Sequence, residues 1–311
     1  MTNTTEKLSD AMQRVTDAVI EAMEKHGTNW VKPWSNTGAA KSITGMPTNA
    51  VSGREYRGIN IWLLAFSGHA TPHWATFKQW QGVGAKIIKG QRSTAVYFWK
   101  PLVIKDKESG EDKTIWMAKS YNVFNADQVE GWEAPTVDAP APVVVEGETF
   151  DHPDLEAFFA ATGVKTRVDT SAYYSPLGDY VAMPAKASFK GTATSTPAEA
   201  YYSTYAHEMA HWTGGSKRLN RDQNGRFGDP KYAFEELVAE LTAVFVSIRF
   251  GLSPAPRADH AQYLNCWLLA LKNDKRLIMT AASKAQAALD HLNIYSSAVA
   301  VEEEEEIAEA A

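Results

Sequence analysis

Three residues in the second half of the chain have the types and spacing of a metal-dependent hydrolase site. In YAHEMAHWTGG, residues 205–215, His207 and His211 are four positions apart and Glu208 lies between them. Side chains at i and i+4 of a helix share one face, so both imidazoles can bind one cation while the glutamate reaches a water molecule. This H-E-x-x-H pattern predicts amide hydrolysis, with the histidines as zinc ligands and Glu208 as general base.

A third ligand is expected from the acidic segment FEELVAELTAVF, residues 234–245. We assign Glu236 as the ligand and Glu240, four positions later on the same helix face, as the acceptor that orients a ligand histidine. Glu235 stays open as an alternative to Glu236, because a sequence does not fix the rotation of a helix to within one residue. Zn²⁺ is the expected metal, with another divalent ion such as Mn²⁺ as the alternative. Alone, such an acidic cluster would more simply be a solvated helix face.

Helix signals flank both segments. Thr196 and Glu199 form a capping box with Pro197 at the first helical position, and Gly214 follows the motif as a stop. Asp229 followed by proline starts a second helix, which we expect to run to about residue 250. The residue that stabilises an oxyanion stays open among several candidates, namely Tyr173, Tyr174, Tyr201, Tyr202 and His260.

The first half of the chain has a different composition. The net charge is −6, but residues 1–132 carry 16 Lys plus Arg against 12 Asp plus Glu, and residues 133–311 carry 15 against 25. Between residues 26 and 105, ten basic residues accompany one acidic residue, Glu55, and six of the ten tryptophans. Basic side chains along a phosphate backbone and rings that stack on bases are typical of single-stranded DNA binding.

We predict that twelve residues of this segment contact single-stranded DNA. They are Trp30, Lys32, Trp34, Arg54, Tyr56, Arg57, Trp74, Lys78, Trp80, Lys86, Lys89 and Arg92. The competing interpretation is that several aromatic residues are core and the lysines a solvated face. The residues that this interpretation would place in the core before others are Trp62, Phe66, Phe98 and Trp99.

The pattern of elements predicts an α+β fold: an N-terminal α+β DNA-binding domain and then a mainly helical zincin-like metallopeptidase domain. The expected boundaries are 1–132 for the first domain, 133–149 for a proline-rich linker, 150–295 for the second domain and 296–311 for a disordered acidic tail. Helices are expected at 5–25, 58–66, 75–81, 257–272 and 275–293, strands at 93–100, 102–105 and 114–121, and a hairpin at 171–184.

Composition also restricts where the protein acts. Cys266 is the only cysteine, so the chain has no internal disulfide and no cysteine-rich zinc site. The N-terminal segment lacks a secretion signal, and the apolar runs are too short to span a bilayer. We therefore expect a cytoplasmic protein without a membrane partner.

Taken in order, these pieces resemble ArdC-type antirestriction proteins of conjugative plasmids. The first half is similar to their N-terminal single-stranded-DNA-binding domain through WVKPW, NAVSGREYRGIN, ATFKQW, KGQRSTAVYFWK and YNVFNADQVEG. The second half resembles their zincin-like domain through YVAMP, YYSTYAHEMAHWTGG and YAFEELVAELTAVF, and their closing helices through NCWLLALKNDKRLIMTAASKAQAALDHL.

The resemblance implies that the protein protects incoming plasmid DNA from host restriction. Two hypotheses follow from it. In one, the zincin domain is an active peptidase towards a host or conjugation protein. In the other, the protein is a non-catalytic module that coats DNA or occludes a restriction enzyme, and its metal is structural or vestigial. Glu208 favours the first, because a structural site needs no general base.

Overall fold

The structure, a computed structural model, covers most of both predicted domains. It describes residues 13, 16, 17, 20, 45–105, 111–135, 144–146, 149–191, 195–225, 229–252, 271–272, 274 and 276–309. Most residues of the helices predicted at 5–25 and 257–272 lie outside the described part of the chain. Four predicted site residues also lie outside it, namely Trp30, Lys32, Trp34 and His260.

A mixed sheet of four strands, in the order β1-β2-β5-β4, forms the centre of the N-terminal domain. Its strands are β1 (Thr48–Asn49), β2 (His73–Thr76), β4 (Thr94–Lys105) and β5 (Asp112–Asn125), and a second small sheet pairs β3 (Lys86–Ile87) with β6 (Val129–Glu130). The strands predicted at 93–100 and 102–105 are one strand, β4. Pro101 fits within it because β4 is an edge strand, where one side of the backbone needs no partner.

Two short helices connect these strands close to their predicted positions. They are α1 (Ile59–Ala65) and α2 (Phe77–Gly82). The predicted capping box of α2 is confirmed: the Thr76 hydroxyl accepts from the Gln79 backbone N–H at 3.3 Å, and the Thr76 N–H donates to the Gln79 side chain at 3.0 Å.

The described part of the C-terminal domain has four helices and a small three-stranded sheet. Its elements are β7 (Val144–Glu146), β8 (Thr149–Asp151), α3 (Pro153–Ala160), β9 (Lys165–Val168), β10 (Tyr173–Ser175), β11 (Tyr180–Met183), α4 (Pro197–Thr213), α5 (Pro230–Arg249) and α6 (Leu277–Glu309). The predicted hairpin is β10 with β11, which pair antiparallel, while β9 runs parallel to β11.

Two segments differ from the sequence expectation. The last helix was expected to end near residue 293 before a disordered tail, but α6 continues to Glu309. Alanine and glutamate recur in this segment, and both readily extend a helix that has already formed. The end of the expected linker is ordered too, because β7 pairs with β8. Among the described helices, α6 included, none is both long and apolar enough to cross a membrane.

The two domains share one hydrophobic core. Trp62 of α1 and Tyr97 of β4 belong to the same buried cluster as Leu237 of α5 and Leu289 of α6. Polar contacts cross the same boundary: Arg249 pairs with Glu55 at 3.0 Å, Arg57 pairs with Asp290, and the Gly58 N–H donates to Gln286 at 2.8 Å. The domains are therefore held against each other by packing as well as by the chain that joins them.

Candidate functional site

Helix α4 carries the H-E-x-x-H residues and begins as predicted. The Glu199 carboxylate accepts from the Thr196 N–H at 2.7 Å, and the Thr196 hydroxyl accepts from the Glu199 N–H at 3.2 Å. Pro197 occupies the first turn, and Gly214 caps the other end. His207 and Glu208 lie in the buried part of this helix.

Helix α5 brings the acidic segment to α4. Its N-cap is Asp229, whose carboxylate accepts from the Lys231 N–H at 3.0 Å, with proline next to it as predicted. Glu235, Glu236 and Glu240 are all buried although all three are acidic. Buried carboxylates need partners that offset the loss of hydration, and here the partners lie on and beside α4.

His207, His211 and Glu236 converge on one point. The Nε2 atoms of the two histidines are 3.1 Å apart, and the Glu236 carboxylate oxygens lie 3.5 Å from His207 Nε2 and 3.4 Å from His211 Nε2. Two ligands about 2.1 Å from a tetrahedral ion are separated by roughly 3.4 Å. One imidazole pair and one carboxylate at these separations fit a single cation of that kind.

The outer nitrogens of the histidines face carboxylates as well. His207 Nδ1 contacts Glu240, and His211 Nδ1 lies 3.3 Å from Glu235 Oε1. A carboxylate accepting from Nδ1–H places the lone pair of a neutral imidazole on Nε2, which is the arrangement that metal-binding histidines need. Glu235 thus lies on the outer side of His211, so the geometry favours Glu236 over Glu235 as the third ligand.

The charges in the cluster favour a cation at its centre. Burial alone lowers the pKa of His207, but the carboxylates of Glu240 and Glu236 outweigh burial and raise that pKa to about 10. Burial raises the pKa of Glu236, and its contacts with both histidines reverse this and hold the pKa well below its usual range. Glu208 follows His207 on α4 and is buried beside the two histidines.

The sequence did not predict the role of the loop after α4. Arg221, almost fully buried, donates to both oxygens of Glu235, and Gln223 donates to the same carboxylate. Burial raises the pKa of Glu235, but His211 and Arg221 lower it to about 2. A signal was present: a buried acid on the helix facing the motif requires a cation, and the loop between the helices is rich in arginine.

Most tyrosines considered as oxyanion donors are engaged elsewhere. The Tyr202 hydroxyl donates to Glu156 at 2.8 Å, Tyr173 donates to Asp169 at 2.9 Å, and Tyr174 donates to Asp179 at 3.0 Å. These hydroxyls tie α4 and β10 to neighbouring segments. Their described contacts give them structural roles.

Three residues predicted to stack on DNA bases are core residues instead. Trp74 and Trp80 are 0% exposed and Tyr56 is 6% exposed. Trp80 also donates from its indole N–H to the Phe124 carbonyl at 3.0 Å. A ring enclosed on all sides cannot stack on a base, so this part of the prediction was wrong. The composition of the segment does not show which rings fill the interior between sheet and helices.

The basic residues predicted beside those rings are at the surface wherever the structure describes them. The exposed set comprises Arg54, Arg57, Lys78, Lys86, Lys89 and Arg92. Two phenylalanines of the same domain are also exposed, Phe77 at 40% and Phe98 at 42%. The competing interpretation placed Phe98 in the core, which its exposure contradicts. Of the other residues that this interpretation placed in the core, Trp62 is buried, and Phe66 and Trp99 pack against the core while partly exposed.

Comparison with known protein families divides the chain as the fold does. Residues 9–124 match the model of the N-terminal domain of the anti-restriction factor ArdC, and residues 153–284 match a zincin-like metallopeptidase model. Protein y4eC of Sinorhizobium fredii is 37% identical over 93% of both chains. DNA primase TraC of Escherichia coli is 31% identical over 89% of this chain, which spans only 26% of that protein.

Solved structures give the same result over nearly the whole chain. The metal-free crystal structure of the antirestriction protein ArdC from plasmid R388 is 39% identical, with a TM-score of 0.72, and the match covers 93% of this chain and 98% of that one. The Mn(II)-bound structure of the same protein is 36% identical, with a TM-score of 0.67, over 91% and 97% of the two chains.

Proposed function

Since the chain belongs to the ArdC family of antirestriction proteins, we propose that it protects incoming plasmid DNA by binding the single strand and hydrolysing a protein at a divalent-metal site. The observation that carries this proposal is the convergence of His207, His211 and Glu236, with Glu208 buried on the same helix as the two histidines. It lies in a zincin-like domain that shares its core with the ArdC N-terminal domain.

The metal would be held by the Nε2 atoms of the two histidines and by the Glu236 carboxylate, with Glu240 and Glu235 orienting the rings. The donor set suits Zn²⁺, and the solved relative with Mn(II) makes Mn²⁺ the other candidate. When bound, the ion supplies Lewis acidity towards water and a peptide carbonyl.

Glu208 would perform the proton transfers. Its carboxylate accepts a proton from the attacking water and returns it to the amine nitrogen as the C–N bond breaks. Glu208 lies three positions before His211, and residues three apart share a helix face, so Glu208 lies beside the candidate ligands. Burial of the site excludes bulk water and strengthens the electrostatic contacts within it.

The surface that binds single-stranded DNA would consist of those predicted DNA-contacting residues that are exposed. Lys78 on α2, Lys86 on β3 and the nearby Lys89 are solvent-exposed cations in one part of the N-terminal domain. Phe77 and Phe98 would replace the buried Trp74, Trp80 and Tyr56 as stacking platforms, because they are the large aromatic side chains most exposed in this domain's described part.

Replacing Lys78, Lys86 and Lys89 together by alanine should weaken binding of single-stranded DNA. Each phosphate contact on a single strand contributes about 0.7 to the slope of log K against log salt, so the slope should fall by up to about 2. Fluorescence anisotropy with a labelled oligonucleotide at several salt concentrations measures both quantities.

The matched control is replacement of three exposed lysines of the C-terminal domain, Lys165, Lys190 and Lys217, which changes net charge equally. We expect this control to bind DNA almost as the unaltered protein does. Equal losses in both triple variants would mean that net charge, and not a surface of the N-terminal domain, governs binding.

Transfer of an unmodified plasmid into restricting and non-restricting recipients tests the whole function. The protein should raise transfer into the restricting recipient and leave transfer into the other unchanged. If Glu208→Gln protects the plasmid as well as the unaltered chain does, the non-catalytic coating or occluding function replaces the peptidase. If neither protein protects the plasmid, the antirestriction proposal fails.

A further inference from the structure

The loop from Thr213 to Gln223 folds back over the end of α4. Backbone hydrogen bonds run from the Leu219 N–H to the Thr213 carbonyl at 3.0 Å and from the Arg221 N–H to the Gly214 carbonyl at 2.9 Å. This path places the Arg221 guanidinium inside the domain, with its side chain only 4% exposed.

Arg221 holds the last turn of α4 and the Glu235 carboxylate at once. It donates to the Ala210 carbonyl at 2.6 Å and to the Thr213 hydroxyl at 2.9 Å. Its Nη2 lies 2.8 Å from Glu235 Oε1, and its Nε lies 3.0 Å from Oε2. Such a two-point contact with a planar fork fixes both the position and the plane of the carboxylate.

Gln223 completes this arrangement. Its amide donates to the His211 backbone carbonyl at 2.7 Å and to Glu235 Oε1 at 3.1 Å. The same Oε1 faces Nδ1 of His211 at 3.3 Å. One carboxylate oxygen therefore receives a guanidinium and an amide from the loop and also faces the imidazole.

We propose that Arg221 is a positioning residue of the metal site, which acts through Glu235 to fix the ring orientation and Nδ1–H tautomer of His211. The Nε2 lone pair of His211 then faces the cation before the cation arrives. This inference rests on the proposed metal site and assigns to it a loop outside the H-E-x-x-H pattern.

The glycine after α4 has a matching role. A Cβ at Gly214 would lie 2.4 Å from Gln223 Nε2 and 2.9 Å from Arg221 Nη2. Its backbone is in the ordinary right-handed helical region, with φ −75°, so its conformation does not require glycine. Glycine is required here because the side chains of Arg221 and Gln223 approach its Cα closely. The residue that ends α4 thus makes room for the side chains that hold Glu235.

Arg218 provides a matched control within the same loop. Its guanidinium pairs with Asp179 at 2.6 Å and donates to the Tyr174 hydroxyl at 2.9 Å, which ties the loop to the β10–β11 hairpin. Losing this arginine removes a charge and an ion pair of the same type. Its Nε also donates to the Trp212 carbonyl in the last turn of α4. None of these partners belongs to the metal cluster of His207, His211 and Glu236.

The test is a double-mutant cycle on the full chain, with zinc affinity measured by chelator competition and stability measured by thermal unfolding in EDTA. Arg221→Gln and Glu235→Ala should each weaken zinc binding by about 10- to 100-fold. In the Glu235→Ala background, Arg221→Gln should have no further effect, because the group through which it acts is gone. Arg218→Gln should lower the unfolding temperature and leave zinc affinity unchanged.

Arg221→Lys covers the case in which Arg221→Gln does not fold. Lysine keeps the charge but not the two-point contact, so zinc binding should still weaken. Unchanged affinity in Arg221→Lys, additive losses in the cycle, or an equal loss in Arg218→Gln would each overturn the inference. Absence of zinc binding by the unaltered chain would overturn the proposed metal site, and the inference with it.

Discussion

Replacing His207 or His211 by alanine should leave the purified protein without its metal. Each substitution removes one of the three proposed protein ligands, and changes to residues that merely orient a ligand already cost about 10- to 100-fold in affinity. Loss of a ligand should therefore exceed about 100-fold. Elemental analysis after dialysis against a weak chelator would show about one metal per unaltered chain and almost none in either variant.

The control for a general effect of losing a buried histidine is His152. It is 1% exposed and caps α3, with Nε2 3.1 Å from the Phe250 carbonyl, in a different part of the domain. His152→Ala should lower thermal stability and keep the metal. Full metal content in His207→Ala would contradict the ligand assignment. Loss of metal in all three variants would show that the measurement reports folding.

Changing Glu208 to glutamine should abolish peptide hydrolysis while the metal stays bound. General acid–base catalysis contributes about 10²- to 10⁴-fold, and glutamine keeps the shape of the side chain without accepting the water proton. The measurement is cleavage of a protein mixture or peptide library in the presence of single-stranded DNA, beside metal content. A drop in kcat with metal content unchanged is the expected pattern.

Glu199 is the matched glutamate for this experiment. It lies on the same helix, two turns before Glu208, and caps the helix start through Thr196. Glutamine also serves in a capping box, so Glu199→Gln should keep structure and activity. Hydrolysis that persists in Glu208→Gln at the unaltered rate would mean that another group accepts the proton, or that a contaminant cleaves.

The sequence predicted which residues converge in the candidate metal cluster because its signals are local. A capping box with proline fixes where α4 begins, and an i, i+4 spacing then fixes that His207 and His211 share a face. Glu236 needed one further step, the phase of α5. The rotation of α5 about its axis follows from burial of its apolar stripe. In the structure this rotation places Glu236 near Nε2 of His211 and Glu235 near Nδ1 on the opposite side of the ring.

The exposure of the aromatic residues proposed to contact DNA was predicted less well, for the opposite reason. Whether a tryptophan is exposed depends on which sheet and helix cover it, and nothing within a few residues of Trp74 or Trp80 contains that information. The exposure of charged side chains is easier to predict, because burying an unpaired lysine or arginine is costly. The predicted basic residues that the structure describes are accordingly exposed, while three predicted stacking rings are core.

The sequence signal for a cation near Glu235 did not show that Arg221 supplies it. The residue is 14 positions from Glu235 and belongs to a loop without a regular pattern. Only the close packing of this loop on α4 brings the two together. Long-range pairs of this kind depend on the whole fold. The sequence therefore indicated the candidate ligands and missed the arginine that contacts Glu235 behind them.

An anomalous diffraction map of crystals soaked in Zn²⁺ or Mn²⁺ would test the central claim most directly. We predict one strong peak per chain within about 2.3 Å of the Nε2 atoms of His207 and His211 and of a Glu236 oxygen. The peak should be absent from crystals of His207→Ala. A peak bound elsewhere, or no peak at saturating metal, would contradict the account.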